Sequence, residues 1–221
     1  MLKITFLGHA CFLLDDGTTK ILTDPFLTGN SQAAARADQI EADYILVSHG
    51  HDDHVGDTEM IAKRTGAKVI CPIELGGALF APKGVEFLPG NIGGTARLPF
   101  GSVKMVTAIH GSGVPGALAC GFVVRMGGKA VYFAGDTALT MEMMLLKDEK
   151  LDVALLPIGD VFTMGPDDAV RAVKMMEPAL TIPMHFNTFP MVAQTGNEFA
   201  AKVEAAGFAC KVLTPGESVE L

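Results

Sequence analysis

The sequence predicts an α/β protein with a four-layer α/β/β/α sandwich, and three observations lead to this prediction. Glycine supplies 25 of the 221 residues, which favours tight turns over long helices. Short strand-like runs come first, and strand-like and helix-like runs then alternate. This order occurs twice in similar halves, so two sheets would face one another with helices outside. Because no low-complexity linker divides the halves, we predict one domain over residues 1–221.

The first half opens with three strands and continues as alternating strands and helices. Asp16-Gly17 is a typical hairpin turn between the second and third strands. After a looser segment over 26–38, a buried strand ends where histidines and aspartates begin. The predicted strands are Lys3–Leu7, Cys11–Leu14, Lys20–Thr23, Tyr44–Ser48 and Lys68–Cys71, and the predicted helices are Glu59–Arg64 and Ile73–Phe80.

The second half repeats the pattern, with strands again from Val85 onward. Gly127-Gly128 predicts a hairpin, and Pro166 followed by two aspartates suits the first turn of a helix. The predicted strands are Val103–Ile109, Leu118–Met126, Ala130–Ala134, Val153–Leu156, Leu180–Met184 and Lys211–Leu213, and the predicted helices are Leu139–Leu146, Asp167–Met176 and Asn197–Ala206.

Composition argues against several classes of partner. The net charge is -8, and no cluster of lysine and arginine could follow a phosphate backbone, so we expect no nucleic acid partner. The apolar run Ala117–Val124 is far shorter than the ~20 residues that span a bilayer, so we expect no membrane partner. Four well-separated cysteines favour buried thiols in a reducing, cytoplasmic protein over disulfides. Methionine groups and a mean hydropathy of +0.34 suggest a homo-oligomer.

Histidine placement is the most informative feature of the chain. Five of the six histidines fall at or just after the end of a predicted strand: His49, His51, His54, His110 and His185. Strand ends on one edge of a sheet converge, so these side chains could meet although they are distant in sequence. Three histidines and two aspartates within six residues do not resemble an ordinary core, because unpaired buried charge is costly.

Imidazole nitrogens and carboxylate oxygens are the ligands that zinc prefers here. Alternate residues of an extended segment share a face, so His49 and His51 can reach one cation, with His110 as the third ligand. Asp53 and His54, one turn onward, would hold a second cation together with His185.

Asp136 follows a predicted strand in Gly135-Asp136-Thr137, where its carboxylate could bridge both cations or merely cap the next helix. Two divalent ions bring four positive charges, of which two aspartates and a hydroxide would cancel three. For His110 and His185, a purely structural histidine is the alternative.

The pattern His49-x-His51-x-Asp53-His54, followed by His110, Asp136 and His185, resembles the metallo-β-lactamase superfamily. The segments Gly8-His9-Ala10-Cys11 and Met184-His185-Phe186-Asn187-Thr188-Phe189-Pro190 are similar to its small metal-dependent hydrolases, akin to the ascorbate-phosphate lactonases. The resemblance covers essentially the full length and implies the αβ/βα sandwich.

Four further positions gain a possible role. Thr23-Asp24-Pro25 resembles the superfamily's first motif, which implies that Asp24 accepts a hydrogen bond from a ligand imidazole rather than binding metal. His9 could be a donor beside the ligands, a general acid or a packed residue. Asn187 and Thr188 either touch substrate or only turn their loop.

The predicted function is therefore metal-dependent hydrolysis of a small molecule. Two divalent ions, zinc by preference and manganese or iron as alternatives, would bridge a hydroxide that cleaves an ester, lactone or phosphoester. Asp53, His9 or water would protonate the leaving group. Loops 26–38 and 111–118 would shape the pocket.

Three other functions on the same fold stay open. A di-iron oxidoreductase of this kind generally depends on a flavin module, for which the chain leaves no room. An RNA-processing nuclease would need a basic surface or an added arm. A binding protein without activity would be expected to have lost ligands, whereas all seven positions are filled.

Overall fold

A computed structural model describes residues 1–221 and contains two large β-sheets flanked by helices. The strands are β1 Lys3–Gly8, β2 Cys11–Asp15, β3 Lys20–Thr23, β4 Tyr44–Leu46, β5 Lys68–Pro72, β6 Phe87–Gly90, β7 Thr95–Leu98, β8 Gly101–Thr107, β9 Cys120–Met126, β10 Lys129–Phe133, β11 Val153–Pro157, β12 Leu180–Met184 and β13 Ser218–Glu220. The α-helices are α1 Asp52–Val55, α2 Thr58–Thr65, α3 Ile73–Leu79, α4 Pro166–Met176 and α5 Gly196–Ala205.

The two sheets have closely similar internal orders. The first runs β13-β1-β2-β3-β4-β5-β6, and the second runs β12-β11-β10-β9-β8-β7. In each sheet, antiparallel neighbours (β1 to β3, β7 to β10) give way to parallel ones (β3 to β6, β10 to β12). The predicted repetition of meander and alternation is confirmed, and so is the four-layer fold.

Successive side chains of a strand alternate between its two faces, and this alternation explains how one sheet contributes to two layers of the core. In β5, Ile70 belongs to the larger core, which contains side chains of both sheets, whereas Val69 and Cys71 belong to a second core that includes residues of α2 and α3. Successive side chains point to opposite faces of a strand, so one short sequence fills two layers. On the second sheet, α4 and α5 contribute Val173 and Phe199, both fully buried.

The predicted strand Lys211–Leu213 is wrong. The preceding residue Cys210 forms an isolated bridge with Thr181, and the Lys211 N–H donates to the Thr181 carbonyl at 2.9 Å. A turn then follows, in which the Glu217 N–H donates to the Thr214 carbonyl at 2.9 Å and Gly216 has φ +91°, a value that glycine adopts easily. The turn redirects the chain to the first sheet, where β13 pairs with β1.

The predicted helix Leu139–Leu146 is instead a 3-10 helix over Met141–Glu149. Its buried side chains, Met143 and Leu146, are three residues apart, the spacing at which side chains of a three-residue turn superimpose. None of the helices combines the length and apolar character that crossing a membrane requires.

Candidate metal centre

Each segment of the site begins where a strand ends. His9 follows β1, Asp24 follows β3, and the segment from His49 to His54 follows β4. His110, Asp136 and His185 follow β8, β10 and β12 of the second sheet. The centre therefore contains every histidine of the chain, drawn from both sheets.

Three ring nitrogens of the first ligand group converge. The Nδ1 atom of His51 lies 2.9 Å from Nε2 of His49 and 3.3 Å from Nε2 of His110. Nδ1 of His51 carries at most one proton, so it cannot donate a hydrogen bond to both of the other nitrogens. Three imidazole nitrogens within 4.8 Å of one another form a metal-binding arrangement, as the sequence predicts for these residues.

The second group contains His9, Asp53, His54 and His185, whose ligand atoms all lie within 4.8 Å of one another. Oδ2 of Asp53 is 3.9 Å from Nε2 of both His54 and His185. Asp53 and His54 sit in the short helix α1, and the His54 ring lies 4.1 Å from that of His49, centroid to centroid. The predicted partners of the second cation thus come together, with His9 added.

Asp136 lies between the two groups. Its Oδ2 atom is 3.1 Å from Nε2 of His185, 3.4 Å from Nε2 of His54 and 3.6 Å from Nε2 of His110. Residues of both groups therefore surround one carboxylate oxygen, which is the position expected of a bridging ligand.

Asp24 and Ser48 fix the orientation of two ligand rings. The carboxylate of Asp24 accepts hydrogen bonds from the Ser48 N–H at 2.8 Å, the Ser48 hydroxyl at 2.5 Å and Nδ1 of His54 at 2.7 Å. Because its hydroxyl proton goes to Asp24, the Ser48 oxygen accepts from Nδ1 of His49 at 2.9 Å. These contacts leave the Nε2 lone pair of His49 free for a metal and direct Nε2 of His54 toward Asp136.

His9 supports Asp53 from behind. It is fully buried, and its Nε2 donates to Oδ2 of Asp53 at 3.2 Å, while Nδ1 accepts from the Thr188 hydroxyl at 2.9 Å. Backbone strain accompanies this arrangement, since His9, Asp24 and His185 have φ of 60°, 31° and 55°. Left-handed backbone at residues other than glycine is concentrated at functional sites.

The candidate ligands differ in protonation state. Burial lowers the pKa of His9 to about 4 and that of His49 to about 2, so both rings stay neutral, as metal ligands must be. Burial opposes ionisation of Asp136, but His54 and His185 outweigh it and hold the pKa of Asp136 well below its usual range. Burial likewise opposes protonation of His54, but the carboxylates of Asp136 and Asp24 outweigh it and hold the pKa of His54 well above its usual range, so a metal ion would have to displace that proton.

Several buried polar atoms of the centre have no hydrogen-bond partner. They are Nε2 of His54, both ring nitrogens of His185 and Oδ1 of Asp136. Buried polar groups are rarely left unpaired without a reason. The Nε2 atoms of His54 and His185, which both lie within 3.4 Å of the Asp136 carboxylate, therefore fit a divalent metal ion.

Loop 111–118 packs against the segment that carries His49 and His51, and none of its residues lines the cavity beside the metal centre. The Gly50 N–H donates to the Ser112 carbonyl at 2.7 Å. A β-carbon on Gly50 would lie 2.8 Å from the Val114 side chain, and one on Gly113 would lie 2.6 Å from the Gly50 carbonyl carbon. Only glycine allows these two segments to pack so closely.

A cavity of about 260 Å³ opens onto the centre. Metal-ligand candidates and the rings of Phe162 and Phe189 line it. Neither loop 26–38 nor loop 111–118 contributes a lining residue, but Phe26 of the first loop stacks on the Phe189 ring that lines the cavity. Two larger depressions, of about 480 and 530 Å³, lie elsewhere and contain no histidine.

Sequence reasoning missed Ser48, Phe162 and Phe189. Ser48 directly precedes His49, but nothing in its own pattern distinguishes it from other serines. The two phenylalanines lie in loops that follow β11 and β12. The sequence signal that could have identified Phe162 and Phe189 is an aromatic residue in a loop that follows a strand near the candidate ligands.

Known proteins resemble the whole chain. The family model described as "Beta-lactamase superfamily domain" matches residues 3–185. A metal-dependent hydrolase of Heliobacterium modesticaldum is 50% identical over all of this chain and 98% of its own, and one of Symbiobacterium thermophilum is 48% identical over the full length of both. A metallo hydrolase of Ignicoccus hospitalis superimposes with a TM-score of 0.93 at 36% identity, covering 99% of this chain and 97% of its own.

The relatives and the fold agree with the histidine and aspartate pattern from which the resemblance was drawn. The family match spans most of the chain and ends at His185, the last ligand candidate. The chain therefore belongs to the metallo-β-lactamase superfamily and is one of its metal-dependent hydrolases.

Proposed function

We propose that this hydrolase cleaves an ester, lactone or phosphoester bond of a small molecule at a centre of two divalent ions, zinc by preference. The observation that carries the proposal is the Asp136 carboxylate oxygen, which lies within 3.6 Å of ring nitrogens from both ligand groups. The proposed ligands of one ion are His49, His51 and His110, those of the other are Asp53, His54 and His185, and Asp136 is shared.

Ions bound there would supply Lewis acidity that activates water at neutral pH and polarises the substrate's carbonyl or phosphoryl oxygen. The remaining work falls to side chains. Asp53 is 28% exposed and lines the cavity, so it is placed to accept a proton from water and return one to the leaving group. His9 is fully buried behind it, and we assign His9 to holding Asp53 in place.

The test begins with metal analysis of protein purified without added metal, followed by assays on lactones, thioesters and phosphodiesters. We expect about two zinc, manganese or iron ions per chain. Asp53→Asn should lower kcat by about 100-fold or more, the usual range for a proton-transfer group. The neighbouring Asp52 is exposed, so Asp52→Asn is the matched control and should act like the native protein.

Two results would contradict the proposal. Equal turnover by His51→Ala and native protein would exclude the assigned ligand set. Bound iron with redox-sensitive spectra and no hydrolysis would favour the oxidoreductase alternative.

A further inference from the structure

We infer that the substrate is a neutral carboxylic ester, thioester or lactone that carries an apolar group the size of one ring or a short chain, and not a phosphoester. This inference rests on the proposed function and narrows it to one substrate class. It depends on Phe162 and Phe189, the two residues that line the cavity without being candidate metal ligands.

The cavity offers no side-chain cation to an anionic substrate. Its lining residues include the carboxylates of Asp53 and Asp136 but no lysine or arginine. Phosphate groups in proteins are typically bound by arginine forks or lysine point charges. Two bound ions would leave the centre with about one uncompensated positive charge, and no lysine or arginine of the cavity adds to it. A phosphoester would therefore have only the ions to balance its charge, whereas a neutral carbonyl compound needs no side-chain cation.

Phe162 is presented to the cavity by a hydrogen-bonded turn. The Asp160 N–H donates to the Met164 carbonyl at 3.3 Å, and the Thr163 N–H donates to the Asp160 carbonyl at 3.2 Å. Asp160 has φ +70°, a strained backbone that persists only where the surroundings enforce it. The Phe162 ring at the tip nevertheless stays 48% exposed, so the turn holds a large apolar group at the cavity mouth without burying it.

Phe189 forms a second aromatic wall and is also held in place. Its ring stacks on Phe26 with centroids 6.1 Å apart and meets the His9 ring edge-on at 5.6 Å. The Val192 N–H closes the loop by donating to the Phe189 carbonyl at 3.1 Å. Two fixed rings beside a polar centre match the usual ligand pocket, in which apolar walls surround a few polar groups.

The volume limits the apolar group. A cavity of about 150 Å³ accommodates benzene, and the cavity here is about 260 Å³. One ring, or an alkyl chain of similar volume, fits together with the reacting carbonyl. A longer chain would extend past Phe162 into solvent.

The first experiment compares substrates that share a leaving group. We expect the zinc-loaded enzyme to hydrolyse p-nitrophenyl butyrate with a kcat/KM at least tenfold above that for bis(p-nitrophenyl) phosphate. Phe162→Ala should raise KM for the butyrate about tenfold with little change in kcat, and Phe162→Leu should restore most of the loss. Met144 is similarly exposed on the remote 3-10 helix, so Met144→Ala is the control.

The second experiment measures binding without turnover. The neutral ketone 4-(4-fluorophenyl)butan-2-one should show a broadened ¹⁹F resonance with native protein and with Met144→Ala, before and after chelation of metal, but not with Phe162→Ala.

A tenfold preference for the phosphodiester, or ketone broadening unchanged in Phe162→Ala, would overturn the substrate class and leave the hydrolase proposal standing. Failure to hydrolyse any substrate, with no bound metal, would instead overturn the hydrolase proposal, and the ketone result would still decide the apolar pocket.

Discussion

The buried carboxylate of Asp24 receives hydrogen bonds from the N–H and hydroxyl of Ser48 and from the ring of His54. Ser48 in turn orients His49. One aspartate thus determines which nitrogen two different ligand rings present, although it lines no part of the cavity. Such partners of metal ligands set the tautomer and increase the basicity of the ring.

Replacing Asp24 should weaken metal binding without removing a proposed ligand. We expect Asp24→Asn, which keeps the side-chain volume, to lower zinc affinity about 10-fold to 100-fold, as loss of a ligand's hydrogen-bond partner typically does. Competition with a chromophoric chelator measures the affinity, and circular dichroism checks the fold. Affinity equal to that of Asp52→Asn would show that the Asp24 contacts do not orient the ligands.

The cysteines provide a second prediction for single residues. All four are free thiols. Burial raises the pKa of Cys71 and Cys210 to about 12 and raises those of Cys11 and Cys120 well above the ordinary value. Since the thiolate is the reactive form, the native protein at pH 8 should react slowly with a disulfide reagent.

Denaturant should then release four rapidly reacting thiols per chain. A matched assay on Cys210→Ser would identify the contribution of the half-buried Cys210. Four fast thiols in the native protein would contradict the burial seen here.

Among the elements, α4 and α5 pack on one another and cover the second sheet. Helix α4 buries Ala169, Ala172, Val173 and Met176 along one face, the period of three to four residues expected of a surface helix. Helix α5 adds Phe199 and Val203 to the same core. Helix α4 contacts β11, which lies between β10 and β12, the strands that precede Asp136 and His185.

Truncating Phe199 should destabilise the fold. We expect Phe199→Ala to lower the free energy of unfolding by about 3–5 kcal/mol, because a large buried ring is removed and a cavity remains. Glu204 lies exposed on the same helix, and Glu204→Ala should change stability by less than about 0.5 kcal/mol. Urea unfolding of both variants measures the difference, and equal midpoints would show that α5 does not contribute to the core.

Both sheets of the molecule supply candidate metal ligands. His49 and His54 follow a strand of the first sheet, and His110, Asp136 and His185 follow strands of the second. An ion held by residues of both would link the two halves of the sandwich. Any ligand that binds the folded chain alone stabilises it by mass action.

Removal of metal should therefore lower the melting temperature. Free zinc at 100 times its dissociation constant would stabilise the fold by about 2.7 kcal/mol for each site, so chelation should shift Tm by several degrees and added zinc should reverse the shift. Differential scanning calorimetry measures the change. His51→Ala should show a smaller shift than Asp52→Asn, and identical shifts would argue that His51 does not bind metal.

The sequence predicted the features that depend on near neighbours or on chain order. Alternation defined the strands around Ile70, and the close spacing of His49, His51, Asp53 and His54 predicted their convergence because local backbone geometry limits where such side chains can point. Strand ends placed the distant His110, Asp136 and His185 in the same centre.

Other features arise only when distant segments pack. Ser48 orients His49 because Asp24 lies against it, and Lys211–Leu213 is not a strand because the chain turns at Gly216 to pair β13 with β1. Phe162 and Phe189 form cavity walls because their turns are closed by hydrogen bonds and ring contacts. The sequence by itself thus determined the fold and the proposed ligands, whose signals are periodic or local, whereas the orientation of those ligands and the apolar walls were decided by tertiary contacts that no local pattern encodes.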